Sequence, residues 1–274
     1  MHKLFFIFYL MSYIRLFFAL DFPQVSDQAK VMENRIKTPS FKPLYLQVKE
    51  LILERLRQRM WEPGDLLPSE AHLATELSVS QGTVRKALDE LTSENLLRRS
   101  QGKGTFVSEH TAARSMFHFL NLVGSDGTKQ IPVSRLLNVE LRIGSEYEIE
   151  QLQLAPLSEV VSLTRLRVLQ EQPAIFETVV LPARLVEGME QIAEGIPNTL
   201  YHFYERHYGF SVTRANEKLR AIEATEAQAN HLNVQPGSPL LSITRLAFSY
   251  DNNPVELRMS VCSTENHHYL SEMT

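Results

Sequence analysis

Residues 79–107 read VSQGTVRKALDELTSENLLRRSQGKGTFV, and this stretch decides the fold. Ser80 is placed to cap a helix whose apolar side is Val84, Ala87, Leu88 and Leu91, the i, i+3, i+4, i+7 spacing of an amphipathic helix. Behind it, Leu96-Leu97-Arg98-Arg99 predicts a strand, Gln101-Gly102-Lys103-Gly104 a tight turn and Thr105-Phe106-Val107 a returning strand. Small residues at such a hairpin tip let backbone approach a phosphate or a minor groove, and Lys103 supplies charge beside it. Gln81, Gly82, Thr83, Arg85 and Lys86 occupy the first turns of the helix, where the side chains of a DNA-reading helix meet base edges and phosphates. Taken singly, Arg85 and Lys86 read as a solvated helix face and Gly102 and Gly104 as ordinary hairpin glycines. Their joint arrangement points to nucleic acid.

Upstream, apolar residues fall at Leu44, Val48, Leu51, Ile52 and Leu56, which predicts a first helix, with Lys49, Glu50, Arg55, Arg57 and Arg59 on its other face. Trp61-Glu62-Pro63-Gly64 ends it, since Pro cannot continue a helix and Gly takes the turn. Ser69 then caps a short second helix with Leu73, Ala74 and Leu77 inside, and Ser78-Val79-Ser80 is a tight break before the third. Three helices with that short break between the last two are a helix-turn-helix, and the hairpin is its wing.

The motifs Pro43-Leu44-Tyr45, Pro63-Gly64, Leu67-Pro68-Ser69-Glu70, Val79-Ser80, Thr83-Val84-Arg85-Lys86-Ala87-Leu88 and 101–107 resemble the winged-helix domain of GntR-family transcription regulators. The resemblance covers about 65 residues with the motifs in unbroken order. It implies a homodimer on a pseudo-palindromic double-stranded operator, with the third helix in the major groove and the wing at the minor groove. Carried over by motif position, Ser80, Thr83, Arg85, Gln101 and Gly102 look like DNA contacts; with Gln81, Lys86 and Lys103 from the helix and wing, and Ser69, they are the candidate DNA-binding residues. Two positions depart from the common pattern: Ala71 and Gln81 stand where many members carry Arg, and each removes a charge for phosphate or guanine.

The 274 residues leave room for about two domains. Hydrophobic content of 43% with 22% charged residues excludes wholesale disorder and fibrous architectures, and the single Cys262 excludes an internal disulfide framework or a Cys-cluster zinc site. The net charge of −4 is unevenly placed: residues 1–39 carry +2, 40–108 carry +1 and 109–274 carry −7. The reading is an extension at 1–39, a winged-helix DNA-binding domain at 41–108, a polar linker at 109–115 and an effector domain at 116–270. Leu4 to Leu20 is almost wholly apolar, but Arg15 interrupts it, the run is at the short limit of a membrane span, and Phe-Ala-Leu-Asp is a poor cleavage site. An upstream extension ahead of a start at Met32 is the preferred reading, with a membrane-proximal segment kept as the alternative. The expected location is cytoplasmic.

The second half contains an internal echo. Val160-Val161-Ser162-Leu163-Thr164-Arg165-Leu166 recurs as Leu240-Leu241-Ser242-Ile243-Thr244-Arg245-Leu246, offset by 80. Each copy is followed by a turn (Gln170 to Pro173; Asp251 to Pro254) and another apolar run. Helical stretches are predicted at Ala183 to Ala193, Thr199 to His207 and Thr225 to Leu232, the last with a capping box in Thr225 and Gln228. The pattern predicts a duplicated α+β unit around an antiparallel sheet.

Arg165-Leu166-Arg167, Glu177, Leu200-Tyr201, Asn216-Glu217, the Ala227 to Gly237 helix-and-turn and Thr244-Arg245-Leu246 resemble the UTRA effector domain of the HutC subgroup, which shares the chorismate lyase fold. The resemblance implies a small-metabolite pocket, with Arg165, Arg167, Glu177, Thr199, Tyr201, Glu217 and Glu256 as effector-binding candidates. Arg165 and Arg167 lie two apart on a strand and so share a face, where two guanidinium forks suit a phosphate or carboxylate. The alternative is that they pair with Glu177 or Glu256 across the sheet.

No metal or cofactor is expected. His202 and His207 are five apart and share no helix face, His267 and His268 point oppositely if extended, and Cys262 reads as a buried small hydrophobe. The aromatic set from Tyr201 to Phe210 reads as core. Two functions remain: a metabolite-responsive transcription regulator, expected to repress, and an enzyme built on the lyase-like domain with an accessory winged helix. No nucleophile–base set, phosphate loop or metal motif supports the enzyme.

Overall fold

The computed structural model describes residues 42–110, 121–127, 131–192 and 195–271. The apolar run at 4–20, the start at Met32 and most of the linker lie outside the described residues. Residues from Pro43 onward form one compact unit.

The head is built from α1 (Leu44–Arg57), α2 (Glu70–Glu76), α3 (Gln81–Ser93) and an antiparallel ribbon of β1 (Leu97–Ser100) and β2 (Gly104–Val107). The apolar stripes read from the sequence meet in one cluster, with Ile52, Leu73, Val84, Leu91 and Val107 fully buried. Leu44 and Leu51, read as part of the first helix's inner stripe, instead lie outside it and are 51% and 49% exposed, leaving Val48, Ile52 and Leu56 as the buried face. Helix α1 stops before the Pro-Gly pair, because Arg59 already turns left-handed at φ 55°. Ser69 and Ser80 cap α2 and α3, accepting the backbone N–H of His72 and Thr83.

The second half is a six-stranded antiparallel sheet in the order β4-β5-β6-β9-β8-β7. Its first unit is β4 (Val133–Ile143), α4 (Glu146–Gln151), β5 (Glu159–Leu169) and β6 (Gln172–Pro182). Its second is β7 (Arg214–Glu223), α6 (Glu226–Leu232), β8 (Pro239–Phe248) and β9 (Pro254–Ser263), with α5 (Leu200–Phe203) between the units. A ribbon of β3 (Leu122–Gly124) and β10 (His267–Tyr269) forms a separate two-stranded sheet, with Leu122 packed against Leu169, Ala174, Ile175 and Cys262 of the large one. The duplication reaches local chemistry. The Ser145–Glu148 capping box of α4 recurs at offset 80 as Thr225–Gln228 of α6. A bulge between Arg167 and Val168 recurs between Ala247 and Phe248.

Three expectations need correction. Ala183 to Ala193 is not one helix: 3₁₀ turns at Ala183–Leu185 and Met189–Gln191 flank Gly188, whose left-handed φ of 77° breaks the run. The helix foreseen at Thr199 to His207 is α5 followed by a π-helical turn at Tyr204–Tyr208, closed by left-handed Gly209. The first hairpin turn is only Gln170 and Glu171, both at positive φ, so Gln172 and Pro173 belong to β6. Among the described residues, no helix is long and apolar enough to cross a membrane.

The repeat also exposes a strained position. Gly237 ends the second helix-and-turn at φ 82°, and its counterpart Leu157 holds φ 63° while 79% exposed. A left-handed backbone is costly for a side chain with a Cβ, and Leu157 gains little burial in return. Leu157→Gly is therefore expected to raise stability by roughly 0.5–1 kcal/mol in chemical denaturation, the relief being partly offset by glycine's greater unfolded-state entropy. A loss of stability would contradict this account.

Candidate nucleic-acid interface and ligand cavity

At the start of α3, Ser80 Oγ lies 2.8 Å from Thr83 Oγ1 and accepts the Thr83 N–H, so both hydroxyls are fixed at the helix end. Gln81, Thr83 and Arg85 follow over the first turn and a half, with Gln81 and Arg85 exposed and Thr83 half-buried. Glu70, at the start of α2, sits behind this surface as an organiser. It accepts from Arg85 Nε at 2.9 Å, from Arg99 at 3.2 Å and from Gln81 at 3.4 Å. The Arg85 hydrogen bond outweighs desolvation and lowers the Glu70 carboxyl pKa, so it is ionised at neutral pH. Sequence reasoning quoted Glu70 in a motif but missed this role.

At the wing tip, residues 101–104 are all exposed. Gly102 and Gly104 adopt φ of 72° and 115°, and a Cβ on Gly104 would stand 2.8 Å from Leu66. Lys103 is exposed beside them. Some candidates are engaged within the free protein: Lys86 Nζ rests 3.9 Å from the Tyr45 ring centroid, and Ser69, like Ser80, accepts a backbone N–H as a helix cap. The remaining candidates lie at the N-terminus of α3 and at the ribbon tip, two kinds of element that can meet a major groove and its flanking backbone.

In the effector half, one face of the sheet carries a charged belt between two apolar clusters. Cross-strand register builds it: Arg165 faces Glu177, Glu217 faces Arg245, and Arg245 faces Arg258. Arg165 Nε donates to Glu177 at 2.9 Å, Arg245 Nε to Glu217 at 2.7 Å and Arg258 to Glu256 at 3.0 Å. Burial alone would raise the Glu177 pKa, but Arg165, Arg258 and Arg167 outweigh it and hold it well below the usual carboxylate range.

Four guanidinium groups thus meet three carboxylates, and the unmatched one is Arg167. It is only 8% exposed, its Nε has no hydrogen-bond partner among the described residues, and burial pulls its pKa down to about 10. A cavity of about 30 Å³ opens at this point, lined by Arg167, Glu177, Glu217, Arg245 and Arg258 from the sheet and by Asn121 and Tyr269 beside the small ribbon. Tyr269 donates to Glu217 and accepts from Asn121 at 2.8 Å, which closes one side.

Of the predicted effector residues, Arg167, Glu177 and Glu217 line this cavity, and four do not. Arg165 is 1% exposed and committed to Glu177, the cross-sheet pairing that was the alternative reading. Tyr201 and Tyr204 hydroxyls instead donate to Glu256 at 3.2 and 2.7 Å, a buried network under α5 that burial and the Glu256 charge keep protonated. Thr199 precedes α5 and makes no side-chain cap. Arg245 and Arg258 were missed as site residues. Arg245 was readable, since it is the offset-80 counterpart of Arg165. Cys262 also lines the cavity, with burial pushing its thiol pKa up to about 12, so it is no nucleophile at neutral pH. Among the described residues, no group of three His, Cys, Asp or Glu side chains could hold a metal ion.

A winged helix-turn-helix reading surface joined to a duplicated antiparallel sheet with a polar cavity defines a ligand-sensing DNA-binding protein. Comparison with known proteins carries this further. Residues 44–107 match the gntR family of bacterial regulatory proteins, and residues 128–268 match the UTRA domain. The chain is 31% identical to the HTH-type transcriptional regulator YurK of Bacillus subtilis over 78% of its length and 88% of that protein. It is 29% identical to the transcriptional repressor NagR of B. subtilis, covering 85% of this chain and 96% of NagR. It is 27% identical to MngR, the mannosyl-D-glycerate transport/metabolism system repressor of Escherichia coli, covering 83% and 95%. The ligand-binding domain of a protein described as a GntR-family regulator from Bordetella bronchiseptica superposes with a TM-score of 0.53 at 29% identity, covering 57% of this chain and 98% of that one. The protein belongs to the GntR family of transcriptional regulators, in the group that carries a UTRA domain.

Proposed function

We propose that this regulator is a metabolite-responsive repressor, acting in the cytoplasm as a homodimer on a pseudo-palindromic operator. Ser80, Gln81, Thr83, Arg85, Gln101, Gly102 and Lys103 contact the DNA, and an anionic metabolite enters the arginine-lined cavity. Ligand binding shifts the dimer between operator-competent and operator-incompetent states. The observation that carries the ligand class is Arg167: a desolvated guanidinium whose Nε has no hydrogen-bond partner among the described residues, in a belt one positive charge in excess. The free volume of about 30 Å³ holds little more than a water, so the cavity must widen to admit a phosphate or carboxylate group. NagR and MngR are named as repressors, which supports repression here. The relatives compared above are regulators, which speaks against the enzyme reading.

The test is a thermal-shift screen of phosphorylated and carboxylated metabolites with their neutral parents as controls, followed by operator titrations. One anionic class is expected to stabilise the protein by mass action and weaken operator binding, and the operator must weaken binding of that ligand by the same factor. Stabilisation by neutral parents as strong as by their anions would overturn the ligand class.

A further inference from the structure

The effector half meets the head at the tip of one hairpin, and also where Arg59 lies against Gly209. Beyond β8, the chain turns at Ser249 to Asn253 and returns as β9. Tyr250 at that tip packs into the apolar cluster of the head, the one residue of the effector half to do so among the described residues. Its neighbour Asp251 takes Arg57 Nε, at the end of α1, at 2.6 Å. Beside this contact a cleft of about 250 Å³ separates the two halves, lined by Arg59 and Trp61 on one side and Glu205 and Phe210 on the other. The junction is thus incompletely packed, and Tyr250 stands out as the side chain bridging into the head's core. The Arg57–Asp251 pair is exposed and contributes little by itself, about 0–1 kcal/mol, but it ties the end of α1 to the hairpin tip beside Tyr250.

A head held in one orientation has a geometric consequence. Two docked heads of a dimer present their reading helices at one fixed distance and rotation, whereas heads on free tethers engage half-sites over a range of spacings. We propose that Tyr250 and Asp251 set which half-site spacing this protein accepts, by docking the head on the β8–β9 tip. The inference rests on the dimeric, operator-binding reading above. The strands that present the tip also carry Arg245 and Arg258 of the charged belt, so the latch is built on the wall of the ligand cavity.

The experiment uses the full-length protein and the operator it selects from random duplex DNA. Binding is compared, at fixed salt, between that operator and one with five base pairs inserted between its half-sites, about half a helical turn. The wild type is expected to lose about 100-fold in affinity, the avidity of the second head. Tyr250→Ser/Asp251→Ala is expected to lose less than about 10-fold. Asp251→Arg, which leaves Tyr250 in place and sets a like charge against Arg57, is expected to lie between them. Circular dichroism melting reports that each variant is folded. Equal discrimination by wild type and both variants would overturn the proposal, as would a wild type indifferent to the insertion. A wild type that selects no duplex at all would overturn the regulator reading itself.

Discussion

Arg167→Met is expected to make the protein more stable and deaf to its ligand at once. The native side chain is buried and charged, with no hydrogen bond to its Nε among the described residues. Burial dominates its lowered pKa of about 10 and outweighs the attraction of Glu177, while Arg165, Arg258 and Arg245 add repulsion. A base whose pKa is lower folded than unfolded costs stability wherever it is charged in both states. That cost is present in full below about pH 10 and is relieved only as pH rises beyond it. Methionine has a comparable reach, no charge and a flexible shape, so the substitution should gain about 1–3 kcal/mol, of the order found when buried ion pairs are replaced by well-packed apolar side chains. Chemical denaturation at neutral pH measures the gain, and calorimetry with the screened anion measures the loss of binding. A destabilised variant would show that Arg167 is matched in the native state and that the belt has no excess charge to offer a ligand.

The second large effect is expected at Arg85. Arg85→Ala should weaken operator binding by about 1–3 kcal/mol, at one base pair if Arg85 reads a base, or uniformly with a shallower salt slope if it holds phosphate. Fold stability should barely move, because the side chain is 56% exposed and its partner Glu70 is a surface carboxylate. Glu70 makes the loss larger than a missing contact, since the carboxylate left behind keeps Arg99 and Gln81 but loses its strongest hydrogen-bond partner beside the phosphates. The Glu70→Ala/Arg85→Ala double variant should therefore bind better than Arg85→Ala alone, a non-additivity expected of residues in one network. Operator titrations of the three variants against salt check this. A double variant weaker than both single variants would make Glu70 a direct supporter of the interface.

Much of the head was legible because its signals are local. Helix caps at Ser69 and Ser80, the apolar spacing of Val48, Ile52 and Leu56 and the glycine-tipped ribbon each act over a few residues, and each appears in the structure. The effector half was legible as an architecture for a related reason: the echo at Arg165 and Arg245 marks two copies of one unit, and the sheet pairs them through β6 and β9.

The ligand site was less legible because it depends on register. Strand alternation placed Arg165 and Arg167 on one face, but which of them is neutralised is decided by the bulge between Arg167 and Val168. Counting back from the two-residue turn without that bulge would set Arg165 opposite Phe176; the extra residue sets it opposite Glu177. The second copy repeats the bulge with Ala247 where the first has Arg167, so one arginine is left without a counterpart. Glu256 and Tyr201 were misplaced for a like reason: they meet each other from β9 and α5, elements whose packing no local pattern announces.

The central claim is that the end of α3 and the ribbon tip together lie against duplex DNA. Its most direct measurement is a fluorescence-anisotropy titration of the full-length, ligand-free protein at low ionic strength. The titrant is double-stranded fragments from its own genomic neighbourhood, with Arg85→Ala and Lys103→Ala run alongside. The account predicts saturable binding to at least one fragment, weakened in both variants and by added salt. A folded protein that binds none of them, or binds them equally well in both variants, would contradict it.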